Sequence, residues 1–155
     1  MDFTLSPEIE ELRQKVRAFV AEHVLPLEDD RTLWDEHENI REDVLDVLRA
    51  EVKRRGLWAP QIPQALGGQG LPVVGMAACY EAMSESIFGP ACFNCAAPDD
   101  GNMQALAKIA TPVQQQRFLA PIVEGRVRSA FAMTEPHPGS GSDPAMTLTT
   151  AERHG

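Results

Sequence analysis

Phe131-Ala132-Met133-Thr134-Glu135-Pro136-His137-Pro138-Gly139-Ser140-Gly141-Ser142-Asp143 runs from a short apolar stretch into a loop of Gly, Ser and Pro close to the C-terminal Gly155. Arg128 to Met133 reads as a strand. The loop after it offers backbone N–H groups and hydroxyls of the kind that hold an anion such as a pyrophosphate. A site built here has almost no chain after it to close over a ligand, so the sequence reads as the first part of something larger.

Upstream, the pattern is helical. Ser6 is a good N-cap and Pro7 suits the first helical position; Ile9, Leu12, Val16, Phe19 and Val20 then recur at helical spacing until Pro26, which is expected to end the helix. Residues 28–38 are acidic and weakly periodic and read as a loop, with Trp34 anchoring it to the core. A second helix is expected from about Ile40 to Arg55, with Ile40, Val44, Val47, Leu48 and Val52 inward and Gly56 as a left-handed cap. The basic Lys53, Arg54 and Arg55 complement the helix dipole at its C-terminal end.

The prolines and glycines between Ala59 and Gly70 mark a loop. Leu66-Gly67-Gly68-Gln69-Gly70 is not a dinucleotide fingerprint, because no strand precedes it and the glycine spacing is wrong. A third helix is expected from about Pro72 to Ser86, with Met76, Tyr80, Met83 and Ile87 on one face. Asp99 or Asp100 caps a fourth, carrying Met103, Leu106 and Ile109. Thr111 to Gln114 fits a capping box that opens a fifth, with Phe118, Leu119 and Ile122 inward and Gly125 at its end. Thr147 to Ala151 is a candidate second strand.

Composition sets limits on function. A chain of 155 residues with 43% hydrophobic and 24% charged residues has enough material for one domain with a sizeable core. The net charge of −9 argues against nonspecific nucleic-acid binding, which relies on neutralising phosphates. No apolar run is long enough to span a membrane. Met1-Asp2-Phe3-Thr4 is acidic and lacks a secretory h-region, so a cytoplasmic location is expected. Cys92 and Cys95 have C-x-x-C spacing but no second pair and no nearby histidine, so with Cys79 they read as small buried thiols. Glu81 and Glu85, at i,i+4 spacing, read as surface acids. No Ser-His-Asp or metal-ligand grouping stands out, and no catalytic base is assigned.

The stretch around Thr134-Glu135-Pro136 and Ser142-Asp143 resembles the flavin-binding signature of acyl-CoA dehydrogenases. Gly56-Leu57-Trp58, Leu66 to Leu71, Phe93-Asn94-Cys95, Ala97 to Met103, Gln115 to Ile122 and Glu124-Gly125 resemble further family segments in the right order. The resemblance implies a mainly α fold. Residues 1–126 would form the N-terminal helical-bundle domain, and residues 127–155 would begin the middle β-barrel with one or two strands. It implies FAD as cofactor, with Phe131, Met133 and Thr134 at the flavin ring, Gly141 and Ser142 at the pyrophosphate, and Ser142 also at the start of the CoA arm. It implies an acyl-CoA substrate and an electron-transfer acceptor as partners of the complete enzyme, and either homo-oligomers or association with the missing domains. The catalytic glutamate and the second flavin segment would lie beyond Gly155, so the isolated chain is expected to be inactive. Two other readings stay open: a short subunit completed by a separate chain, and a non-enzymatic helical interaction module.

Overall fold

The computed structural model describes residues 4–154, which are mainly helical. Helix α1 spans Pro7–Phe19, with Ser6 accepting a hydrogen bond from the Ile9 N–H. It runs into a π-helical turn, Val20–Val24, and a 3₁₀ turn, Leu25–Leu27. Helix α2 is Glu42–Arg54, α3 Val73–Met83, α4 the single turn Gly89–Cys92 and α5 Asp99–Ile109. The chain then enters α6, Pro112–Gln114, a second π-helical turn, Gln115–Leu119, and α7, Ala120–Val123. The capping box at Thr111 and Gln114 forms in both directions.

Both π-helical turns precede a proline. The Leu25 N–H donates to the Val20 carbonyl just before Pro26, and the Ala120 N–H donates to the Gln115 carbonyl just before Pro121. Proline cannot donate, and its ring crowds the carbonyl four residues back. The widened turn makes room for that ring. Pro26 therefore does not stop the helix as expected; the chain stays helical through Leu27.

Helices α1 and α3 pack along each other, tied at the surface by Arg17 to Glu85 at 2.6 Å and Arg13 to Glu81 at 3.7 Å. These contacts account for the two acids of α3 and the turn after it. The core gathers Val16, Phe19, Val20, Val24, Leu48, Val52, Ile62, Cys79, Met83, Phe93 and Met103. Phe19 meets Phe93 edge-on at 5.3 Å, and Trp34 meets Phe88 edge-on at 4.8 Å, with the Trp34 indole N–H donating to the Leu27 carbonyl. All three cysteines are free and buried; burial pushes the Cys79 thiol up to about 11 and Cys92 to about 12. They are packing residues, as read from the sequence.

Three side chains converge on the end of α7. The Trp58 indole N–H donates to the Val123 carbonyl at 2.7 Å, Asn94 Nδ2 to the Ile122 and Val123 carbonyls at 3.0 and 3.3 Å, and Lys53 Nζ to the Glu124 carbonyl at 2.7 Å. Lys53 thus caps a neighbouring helix rather than its own. Gly125 closes the helix at φ +72°, and a Cβ there would lie 2.8 Å from the Trp58 ring.

Several side chains differ from the periodic reading. Val47 and Ile87 face outward, and Leu45 and Arg49 take inward positions on α2. Arg49 is kept there by Glu42 at 2.7 Å and by the Ala91 carbonyl. Ile109 and Phe118 are also exposed. Neither Arg128–Met133 nor Thr147–Ala151 forms a strand, and no barrel is detectable among the described residues. The one bridge described in this region is local, Glu135 to Gly141. A strand needs a neighbour to take its backbone groups, and the described chain offers none beside residues 128–133.

Asn94 holds φ +62° while capping α7. Asn94→Ala is expected to cost about 2–3 kcal/mol, combining a lost buried hydrogen bond with a left-handed backbone that alanine disfavours. Asn94→Gly, which accepts that backbone, should recover about 1 kcal/mol of the loss. Urea unfolding midpoints at constant slope check both; equal losses for the two variants would remove the backbone contribution.

Candidate functional site

The signature segment starts from a clamp. Asp99, at the first position of α5, is buried, and its Oδ1 accepts from both the Ser129 N–H and the Ser129 hydroxyl at 2.6 Å. Its Oδ2 accepts from Arg128 Nε at 3.0 Å. Asn102, one turn further along α5, donates to Ser129 Oγ at 2.8 Å and to the Ala130 carbonyl at 3.4 Å. Sequence reading placed Asp99 or Asp100 as a helix cap and missed this role; the cap position falls to Pro98. Its signal is an acid with no local partner at a position that proves buried.

Beyond the clamp the chain is open. Phe131 is exposed over two-thirds of its surface (66%), Met133 is half-buried, and Thr134 and Ser142 are exposed. The Met133 N–H turns back to the Phe131 carbonyl at 3.1 Å. Neither Thr134 nor Ser142 makes a hydrogen bond within the described residues, so their N–H and hydroxyl groups are available to a ligand. Gly141 sits at φ +58°, which turns the loop back on the strand-like stretch.

Glu135 organises the loop beyond Thr134. Its carboxylate accepts from the backbone N–H groups of Ser140 at 3.0 Å, Leu148 at 2.9 Å and Thr149 at 2.7 Å, and from the Thr149 hydroxyl. Its own N–H donates to the Gly141 carbonyl at 3.0 Å. Gly139 lies against it, where an added Cβ would come within 2.6 Å of the Glu135 side chain. The Leu148 N–H, the Thr149 hydroxyl and the Ser140 N–H, in that order, hold the Glu135 carboxyl down at about 2. Glu135 is therefore a structural acid. Its neighbour His137 is exposed on the loop.

The arrangement suits a flat, acceptor-rich ligand with an anionic tail. Phe131 and Met133 give apolar surface, Thr134 gives free donors one residue on, and Gly141-Ser142 gives a second set across the turn. These are the features an isoalloxazine ring and its pyrophosphate require, so the residues present fit FAD. Between α5, α7 and residues 126–130 lies a groove of about 600 Å³ with Leu106, Phe118, Ile122 and Val127 on its walls. No group of three or more His, Cys, Asp or Glu side chains able to hold a metal occurs among the described residues. No helix among them is long and apolar enough to cross a membrane.

The Glu135 contacts have a pH signature. Its folded value lies below the ordinary 4.5, so its contribution is complete above about pH 4.5 and is lost as pH falls through about 2. Amide exchange at Leu148 and Thr149 should lose protection over that window in the natural chain. In Glu135→Gln it should already be fast at pH 6. Identical profiles for the two proteins would remove Glu135 as the organiser.

The helical part of the chain has known relatives. Residues 6–126 match the family model described as acyl-CoA dehydrogenase, N-terminal domain. Acyl-CoA dehydrogenase family member 10 of Mus musculus is 33% identical over 161 residues, covering 97% of this chain and 15% of its own length. The Mycobacterium tuberculosis protein named probable acyl-CoA dehydrogenase FadE2 is 33% identical over 159 residues, covering 100% of this chain and 38% of its own. The solved structure of a candidate acyl-CoA dehydrogenase from Mycobacterium abscessus superposes with a TM-score of 0.73 at 35% identity, over 87% of this chain and 36% of that one. This sequence thus spans well under half of each of these relatives. By the extent and order of the match, the chain belongs to the acyl-CoA dehydrogenase family, and residues 6–126 are its N-terminal domain.

Proposed function

We propose that this chain supplies the N-terminal helical domain, residues 1–126, and the first flavin-contacting segment, residues 127–155, of a flavin-dependent acyl-CoA dehydrogenase. The observation that carries the reading is the exposed Phe131–Thr134 stretch with its free donors, following directly on the family-matched domain. Bound FAD would supply the hydride acceptor for α,β-dehydrogenation of an acyl-CoA thioester. The chain's own part is to bind and orient. Phe131 and Met133 present apolar surface to the ring, and the Thr134 backbone and hydroxyl donate to its pyrimidine edge. Gly141 and Ser142 donate to the pyrophosphate, and Ser142 lies at the entrance of the CoA arm. None of these residues abstracts the substrate's α-proton. Glu135, next to Thr134 in the chain, is committed to four hydrogen bonds from its own loop. No base for that step is assigned among this chain's residues.

On this reading, the 155-residue chain purified alone holds FAD weakly and turns over no acyl-CoA, because a loosely enclosed cofactor loses burial and preorganisation. A chimera in which it replaces the equivalent part of the Mycobacterium tuberculosis relative should be yellow and should reduce a dye with an acyl-CoA. In that chimera Thr134→Ala or Ser142→Ala should weaken FAD binding by about tenfold, the worth of one or two hydrogen bonds to an anionic ligand. A chimera that folds but stays colourless, or a stoichiometric flavoprotein from the chain alone, overturns the reading.

A further inference from the structure

The residues proposed to face flavin are themselves exposed, so something else must set where they lie. Downstream of Ala130, no described hydrogen bond reaches back to any of α1–α7; those of residues 131–154 are local to the loop that Glu135 holds. Upstream, the attachment is concentrated at one buried carboxylate. Asp99 is 5% exposed and takes three donors from two consecutive residues, Arg128 and Ser129. Asn102 takes the remaining capacity of Ser129 Oγ and reaches the Ala130 carbonyl. The donors differ in kind, namely a backbone N–H, a hydroxyl and a guanidinium. A slip of one residue would bring Ala130, which has no hydroxyl, to the place of Ser129. The clamp therefore reads register as well as position. Its carboxylate lies in the first turn of an 11-residue helix, where the backbone dipoles favour a negative charge.

We propose that Asp99 is a positioning residue for the flavin-facing segment: through Ser129 and Arg128 it fixes the register of residues 128–134 on helix α5. It touches neither flavin nor substrate on this reading, which rests on the function proposed above. Because α5 follows directly on the Phe93–Pro98 loop of the helical core, the same carboxylate ties the flavin segment to that core. Asp99→Asn preserves shape but removes the charge and turns an amide donor toward a neighbouring donor. Ser129→Ala keeps the backbone bond and drops the hydroxyl. Arg128, half exposed at 50%, is the outer member of the clamp.

The test is residue-resolved amide hydrogen exchange on the full 155-residue chain, with FAD titration of the same variants in the chimera described above followed by flavin fluorescence. Asp99→Asn is expected to speed exchange at the Ser129 amide by about tenfold or more, as for loss of a charge-assisted hydrogen bond, and to shift the amide resonances of Ala130 to Thr134. Amides of Val16, Val52 and Cys79 should stay within about twofold of the natural chain if the effect is local. Ser129→Ala should give a smaller change at the same amides, and Arg128→Ala the smallest. The downfield Ser129 amide proton that a short bond to a carboxylate produces should move upfield in Asp99→Asn and persist in Arg128→Ala. Unchanged exchange at the Ser129 amide with unmoved resonances at residues 130–134 in Asp99→Asn overturns the proposal. So does an equal rise throughout the core, which would make Asp99 a general stabiliser. A variant that shows the local effect in the chain yet leaves the FAD affinity of the chimera unchanged supports the clamp and counts against the flavin reading alone.

Discussion

The end of helix α7 is the point on which the structure turns. A helix terminus leaves its last carbonyls without partners, and burying them unpaired would cost more than the packing around them returns. Here the answers come from three separate places in the chain: Lys53 at the end of α2, Trp58 just after it, and Asn94 in the loop before α5. Gln61 extends the network by donating to the Asn94 carbonyl at 2.8 Å, and the Ala59 N–H donates to the Phe93 carbonyl at 3.1 Å. The loop from Leu57 to Leu71 is thus part of the core's polar framework rather than a spacer between helices. Gly68 shows how tightly it closes, since a Cβ there would fall 2.1 Å from the Ile62 carbonyl oxygen.

From that fixed point the chain leaves the helical body toward the candidate site. Gly125 sets the exit, and within four residues Asp99 receives Ser129. Two buried polar devices, one ending α7 and one opening α5, therefore bracket residues 124–130. The loop farther along is organised by a third, the Glu135 carboxylate. The latter two use carboxylates to satisfy backbone N–H groups that a sheet would otherwise satisfy, which is how residues 128–154 keep a defined path without any strand.

Much of this was legible in the sequence wherever a local rule decides. The Ser6 cap, the Thr111–Gln114 capping box, the left-handed Gly56 and Gly125, and the buried thiols each follow from chemistry within a few residues. The features that escaped depend on partners far along the chain. Val47 and Arg49 both occupy helix α2, and only the presence of α4 and Ala91 decides which one turns inward. Asp99 looks like any helix-opening acid until Ser129, distant in sequence, arrives beside it. The strand expected at Arg128–Met133 has strand-like composition, but pairing is a property of two segments and one of them is not among those described. The candidate flavin residues were recognised by resemblance and not by pattern, because nothing in periodicity separates a ligand-binding turn from an ordinary one.

The paired π-helical turns bear on phase. A widened turn holds one residue more than a regular one, so the chain gains a residue while hardly advancing along the axis. In α1 this keeps Phe19, Val20 and Val24 all on the buried side. Ahead of α7 it decides which carbonyls arrive at Trp58 and Asn94. One residue corresponds to about 100° of helical rotation. A regular turn in the same place would present a different edge of the helix to those donors and would swing residues 126–130 away from α5. Pro26 and Pro121 thus act as phase markers written into the sequence: by forbidding the regular turn, they set the angle at which each helix meets the rest of the molecule.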